Sequence, residues 1–103
     1  MNDVNKQYAY LMSKSIADYR ASRIVLNSLI LKIEAIRDVV DDDKLKDQLY
    51  EFVLSLEQIN AFIIEERRRA TENECNSITL LLDELESLIK HFMESQTASS
   101  AHK

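Results

Sequence analysis

The chain contains neither glycine nor proline in 103 residues. An average protein carries about 7% Gly and about 5% Pro. Glycine-rich phosphate loops, tight β-hairpins and proline-punctuated β-sandwiches need the backbone angles that these two residues supply. The composition therefore predicts an all-α protein whose turns are made by Asp, Asn, Ser and Thr.

The net charge of −5 is unevenly distributed along the chain. Residues 1–37 carry six basic and three acidic residues, a net charge of +3, which leaves −8 on the remainder. A mildly basic first third can therefore pack against an acidic remainder. The overall negative charge argues against a protein that neutralises phosphates over a broad surface.

The compartment is suggested by two further features of the sequence. Cys75 is the single cysteine, so an intramolecular disulfide is impossible and a reducing compartment is the simpler assumption. The N-terminal sequence lacks a signal-peptide pattern, and no apolar run approaches the roughly 18 residues of a membrane span. We expect a soluble, cytoplasmic protein that does not insert into a membrane.

Residues at three-four spacing from Val4 to Val40 predict one long amphipathic helix over about residues 4–40. Between Ile24 and Leu31, apolar side chains point to nearly every side of such a helix, so this stretch should be buried. The preceding half carries three tyrosines, Tyr8, Tyr10 and Tyr19, whose polar tips tolerate a half-wet position. That half is expected to present a partner surface or simply to lie on its own bundle.

Capping patterns divide the rest of the chain. Asp41 is expected to be the N-cap of a second helix over 42–70, with Val40 and Leu45 as its hydrophobic staple. The alternative interpretation of the aspartates at 41–43, a calcium loop, lacks the required glycine and distal Glu. Thr71 and Glu74 form a capping-box sequence for a third helix over 72–94. Residues 1–95 are thus expected to form a single helical domain, followed by a disordered polar tail over 96–103.

Reversals near Asp41 and Thr71 would bring Leu29, Leu56 and Leu85 to the same height. This agreement predicts an up-down-up three-helix bundle with a long first helix. The alternative is a two-helix hairpin in which the second and third helices form one long rod. A first helix of about 55 Å would outrun a third of about 33 Å. We therefore expect the bundle to close as a homodimer or with a partner helix.

The expected partner or dimer surface comprises apolar and tyrosine side chains of the first helix: Tyr8, Leu11, Met12, Tyr19, Ile24, Val25 and Leu31.

Candidate chemistry is sparse. Cys75 lies on the apolar stripe of the third helix and is expected to be a small buried hydrophobe rather than a nucleophile. His91 and Glu94 form a single pair, whereas a di-metal bundle site needs two Glu-x-x-His pairs and two further glutamates. Arg67–Arg69 are expected to complement the negative end of the second helix rather than to bind a ligand. No catalytic, cofactor or metal motif is present, so we expect no enzyme, cofactor or metal site.

These features favour a non-enzymatic protein-protein interaction module that binds through exposed apolar helical faces. In size, acidity and lack of glycine the chain resembles small bacterial helical adaptors, such as secretion or flagellar export chaperones and anti-activators. One alternative is a structural subunit of a larger helical assembly. Another is a nucleic-acid-binding regulator that uses Arg67–Arg69 and the basic first helix, which the acidic remainder disfavours.

Overall fold

The computed structural model describes residues 3–66 and 69–101, including the side chains of residues 6–66 and 69–94. The described ranges contain four α-helices and no strand: α1 (Asp3–Arg20), α2 (Leu26–Val39), α3 (Asp43–Glu65) and α4 (Glu72–Ala101). The all-α prediction is confirmed. The predicted count of three helices is wrong because the long first helix is two.

The break between α1 and α2 is a helix C-cap built without glycine. Ser22 takes the left-handed conformation, with φ of 62°, that glycine usually supplies at this position. Its N–H donates to the Tyr19 carbonyl at 2.9 Å, and the Arg23 N–H donates to the Asp18 carbonyl at 2.8 Å. These two bonds form a Schellman motif. Arg23 and Asp18 occupy the two positions of this motif that usually make a hydrophobic contact. Here they form an ion pair instead, with 3.4 Å between Nη1 and Oδ1.

The turn between α2 and α3 is capped one residue later than the sequence indicated. Asp42, not Asp41, is the N-cap of α3, and its Oδ1 accepts from the Leu45 N–H at 2.8 Å. Val40 and Leu45 are both buried, although this register moves them from the positions expected for the staple.

The predicted break before the third helix is confirmed. The Glu74 N–H donates to Thr71 Oγ1 at 3.1 Å, and the Thr71 N–H donates to Glu74 Oε1 at 2.9 Å, which completes the capping box. The single-rod alternative is therefore wrong. α3 ends at Glu65 rather than near residue 70, so Arg69 lies beyond its last turn, while Arg67 and Arg68 lie outside the described residues.

α4 continues to Ala101, past the expected end near residue 94 and through most of the segment expected to be a disordered tail. The segment contains no Gly or Pro that would stop the helical backbone. His102 and Lys103 lie outside the described residues.

The four helices form an up-down-up-down bundle, in which α1 and α3 each pack against both α2 and α4. The alternating helix directions are apparent at a small apolar cavity of about 10 Å³. It is lined by residues near the starts of α1 and α3 and by residues in the later parts of α2 and α4: Ala9, Leu45, Ile36 and Ile89. The molecule measures 53 × 22 × 20 Å.

The core confirms the predicted central positions and corrects the predicted overhang. Leu29, Leu56 and Leu85 are fully buried, as expected from their common height. Met12 and Ile16 of α1 are also buried, at 2% and 0% exposure, because α1 folds back along α2 instead of extending beyond it. α1 thus lies where a partner helix or second subunit was expected. Leu26, Leu29 and Ile30 are buried, but Val25 and Leu31 are exposed, so the expected burial of the whole stretch from Ile24 to Leu31 is wrong.

Candidate functional site

The seven residues of the expected partner surface do not form one surface. Met12 belongs to the core, and Tyr8, Tyr19 and Ile24 are half-buried against it. The other three are exposed: Leu11 at 46%, Val25 at 68% and Leu31 at 57%. They lie in three places, because the chain reverses between α1 and α2. Leu11 lies beside Tyr10, Val25 borders a cleft near the α1–α2 turn, and Leu31 lies on the outer side of α2.

The cleft near the α1–α2 turn is open and has a volume of about 510 Å³. Its lining comes from the end of α1, the turn and the first half of α4: Tyr19, Arg20, Ser22, Ile24, Val25, Cys75, Ile78, Thr79 and Leu82. Burial, and to a smaller extent the Coulombic effect of Cys75, raise the pKa of Tyr19 above its ordinary value.

Arg20, on one wall of this cleft, links α1 to α4. Its Nη2 donates to Glu86 Oε1 at 2.6 Å and to Asp83 Oδ1 at 2.8 Å. The carboxylates of Glu86 and Asp83 raise the pKa of Arg20 above its ordinary value. The expected pairing of the basic first third with the acidic remainder occurs here, between α1 and α4.

The expectation that Cys75 is buried is wrong, since its side chain is exposed. The buried stripe of α4 begins one turn later, at Ile78. α1 ends at Arg20, which reaches α4 at Asp83 and Glu86, so it does not extend far enough to cover Cys75.

A second cluster lies where α2 packs against α3. Two contacts set the register of these helices. Asn60 Nδ2 donates to Asn27 Oδ1 at 3.4 Å, and the Arg37 guanidinium lies 5.2 Å from the centre of the Tyr50 ring. The Glu34 carboxyl lies close enough to the Glu57 carboxyl for the two to interact.

Leu31 and Leu54 lie in the same strip of surface. Leu31 lies between Asn27 and Glu34 along α2, and Leu54 lies between Tyr50 and Glu57 along α3. Both leucines are exposed, at 57% and 40%, and Tyr50 is 48% exposed. We call this strip the α2–α3 face and define it by five residues: Leu31, Glu34, Tyr50, Leu54 and Glu57.

The electrostatics of the α2–α3 face are unbalanced. Desolvation, the hydrogen bond with Glu57 and repulsion by the Glu57 carboxylate all raise the pKa of Glu34 above its ordinary value. The Arg37 charge opposes this shift, but its Nη2 donates to Asp38 Oδ1 at 3.3 Å, and Asp38 raises the pKa of Glu34 further. The face therefore combines exposed apolar side chains with two like-charged carboxyls.

Of the residues of this face, the sequence pattern indicated only Leu31, as part of the expected partner surface. Tyr50 directly follows the buried Leu49 and is nevertheless exposed, and Ile64 is 61% exposed. Glu34 and Glu57 are separated by 23 positions, and only the packing of α2 on α3 brings them together.

The other candidate groups have structural roles or remain apart. Within the described residues, no group of three or more His, Cys, Asp or Glu side chains is arranged to hold a metal ion. Of the three aspartates considered as a calcium loop, Asp42 caps α3. His91 is exposed beside α3, near Gln48 and Phe52. The described helices also include none that is long and apolar enough to cross a membrane.

Comparison of the chain with protein-family models, curated proteins and solved structures found no match.

Proposed function

We propose that this protein is a non-catalytic interaction module that binds another protein through the α2–α3 face. One observation carries the proposal: Leu31, Tyr50 and Leu54 are exposed together on two packed helices, although the chain buries a continuous core of its own. Single exposed apolar residues are ordinary, whereas adjacent ones on a rigid surface are typical of interfaces. Tyrosine and leucine on packed helices also suit a partner helix laid along them.

This proposal retains the adaptor or chaperone role expected from the sequence, but it assigns binding to a different surface. The first-helix surface was expected to be left open by a three-helix layer. Within one chain, Met12 of that surface is instead buried, and Tyr8, Tyr19 and Ile24 are half-buried against the core. Self-association is correspondingly no longer needed to close the core, and we propose a different protein as the partner.

The ion pairing of the basic residues favours this proposal over a nucleic-acid-binding regulator. Lys14, Arg20, Arg23 and Arg37 of the first third each form an ion pair with a carboxylate. Phosphate binding would have to compete with these pairs on a protein whose net charge is −5.

The test is affinity capture with the tagged protein from the organism that encodes it, followed by measurement of Kd with the purified partner. The Leu31→Gln/Leu54→Gln variant removes the apolar part of the α2–α3 face and keeps good helix formers at both positions. The matched control, Leu11→Gln/Leu80→Gln, removes two exposed leucines from α1 and α4. We expect the first variant to lose the partner and the control to retain it, with both circular dichroism spectra unchanged.

Two outcomes would contradict the proposal. If the parent retains no protein in stoichiometric amount, the interaction function is wrong. If the partner is retained equally by the parent and by Leu31→Gln/Leu54→Gln, binding uses another surface.

A further inference from the structure

We propose that the turn between α1 and α2 is a hinge, and that its straightening lets two copies of the chain exchange their α1 helices to form a dimer. The partner of α1 in this state is the rest of the bundle of a second copy. The exchange leaves α2 and α3 of each chain packed on each other, so the α2–α3 face is unchanged. This inference is therefore independent of the proposed function.

The turn holds Ser22 in a strained conformation. Its φ of 62° lies in the left-handed region. In that region the Cβ of any residue other than glycine comes too close to the following carbonyl oxygen. A continuous helix would return Ser22 to an ordinary helical φ, so straightening of the turn relieves this strain.

The start of α2 is also poorly stabilised. Its N-cap is Val25, whose side chain contains no hydrogen-bond acceptor, and its first turn contains no acidic residue. In a continuous helix the carbonyls of residues 22–24 would accept from the N–H groups of residues 26–28. Residues 21–25 contain neither glycine nor proline, so their composition permits that helix.

The core-facing side chains of α1 and α2 would lie on one side of the straight helix. They recur at alternating intervals of three and four residues, in the same phase on both sides of the turn: Ala9, Met12, Ile16, Tyr19, Leu26, Ile30 and Ile33. Arg23 occupies the one position of this series within the turn. Exchange requires this common phase, because a two-fold axis between two antiparallel helices places both cores on the same side of the pair.

Two straightened chains can re-form the contacts that α1 makes in the monomer. There α1 packs against α2, which runs in the opposite direction, and against α4. If the two long helices lie antiparallel with their hinges side by side, α1 of each chain lies along α2 of the other in that same relative direction. The bonds of Arg20 to Asp83 and Glu86, at 2.8 and 2.6 Å, then join two chains. The conformation of the turn and the protein concentration therefore set the balance between monomer and dimer.

The experiment is refolding of the full chain from urea at increasing protein concentration, followed by sedimentation equilibrium. We expect a dimer whose fraction rises with concentration. Isotope-filtered NMR on a refolded mixture of labelled and unlabelled chains then identifies the exchanged helix. NOEs should join Met12 of one chain to Ile89 of the other, because these two side chains line the same small cavity.

Substitutions at Ser22 should shift the equilibrium in opposite directions. Ser22→Gly removes the strain of the turn and disfavours the straight helix. Since each dimer contains two hinges, it should raise the Kd of the dimer about tenfold or more. Ser22→Ala keeps the strain and favours the helix, so it should lower the Kd about threefold to tenfold. Ser87→Gly is the matched control, because Ser87 is exposed within α4 and helical in both states, and it should leave the Kd unchanged.

Exchange of α1 is excluded if the parent and Ser22→Ala both remain monomeric at every concentration. It is also excluded if a dimer forms but the NOE between Met12 and Ile89 arises only within one chain, which would indicate association of unexchanged monomers. Equal changes in Kd for Ser22→Gly and Ser87→Gly would show that the turn is not the hinge.

Discussion

Ile16→Ala tests whether α1 is part of the core, which is the main departure of the structure from the sequence pattern. Ile16 is fully buried, at 0% exposure. The substitution removes three carbon atoms, worth about 2.4 kcal/mol at roughly 0.8 kcal/mol per buried methylene. The cavity left in a packed core adds to this, so the expected loss of unfolding free energy is about 2–5 kcal/mol. Alanine is the better helix former, which recovers at most about 0.5 kcal/mol.

The measurement is urea unfolding followed by circular dichroism. With m of about 2 kcal/mol per M, the midpoint should fall by roughly 1–2.5 M while m stays constant. Leu11→Ala is the control on the same helix, because Leu11 is 46% exposed, and it should cost less than about 1 kcal/mol. A loss below about 0.5 kcal/mol for Ile16→Ala would refute the placement of α1 in the bundle.

Four further predictions concern single positions. Thr71→Ala removes a capping-box acceptor and should lower the unfolding free energy by about 0.5–2 kcal/mol, measured by thermal unfolding against Thr79→Ala at an exposed mid-helix site. Ser22→Gly should raise the unfolding free energy by up to about 1 kcal/mol, because glycine adopts a φ of 62° without steric cost. Glu34 has a raised pKa in the folded protein, so its contribution to stability is present below pH 4.5, the ordinary value, and is lost as the pH rises through the folded pKa. Urea unfolding across this pH range should show the parent losing stability relative to Glu34→Gln. Cys75 should react with a thiol reagent in the native protein at a rate close to that in denaturant, because it is exposed.

Each of these four has a result that would contradict it. Equal effects of Thr71→Ala and Thr79→Ala would show that the capping box contributes nothing to stability. A Ser22→Gly variant less stable than the parent would mean that the left-handed turn is not strained. Parallel pH profiles for the parent and Glu34→Gln would show that the pKa of Glu34 is not raised in the folded protein. A thiol that reacts only after the protein unfolds would show that Cys75 is buried.

The pattern of apolar residues predicted most of the core but could not reveal the break in the first helix. The three-four spacing runs on in phase from Tyr19 to Leu26 whether or not the helix is interrupted. The signals of the break were weak: residues 20–23 lack a large apolar side chain, and Ser22 stands where a glycine would have marked the C-cap. The hydrogen bonds made by Ser22 and Arg23 became apparent only in three dimensions.

The pattern of apolar residues was equally unable to reveal the α2–α3 face as a candidate binding surface. Leu31 was expected on a partner surface made by the first helix, but no residue of the second helix was expected beside it. Side-chain periodicity distinguishes buried from exposed faces of one helix, but it contains no information on which exposed residues of another helix will lie beside them.

By itself the sequence determined the helical class, the capping box at Thr71 and Glu74, and the central positions Leu29, Leu56 and Leu85. These depend on local backbone preferences and on helical periodicity, which are properties of short segments. Only the tertiary structure decided that the expected long first helix folds back on itself as α1 and α2, which makes a bundle of four helices. In this arrangement Met12 is buried and Cys75 is exposed. It also decided that Glu34 and Glu57 come close together across the contact between α2 and α3. These outcomes depend on how whole helices share one core, and the competing arrangements have the same local pattern.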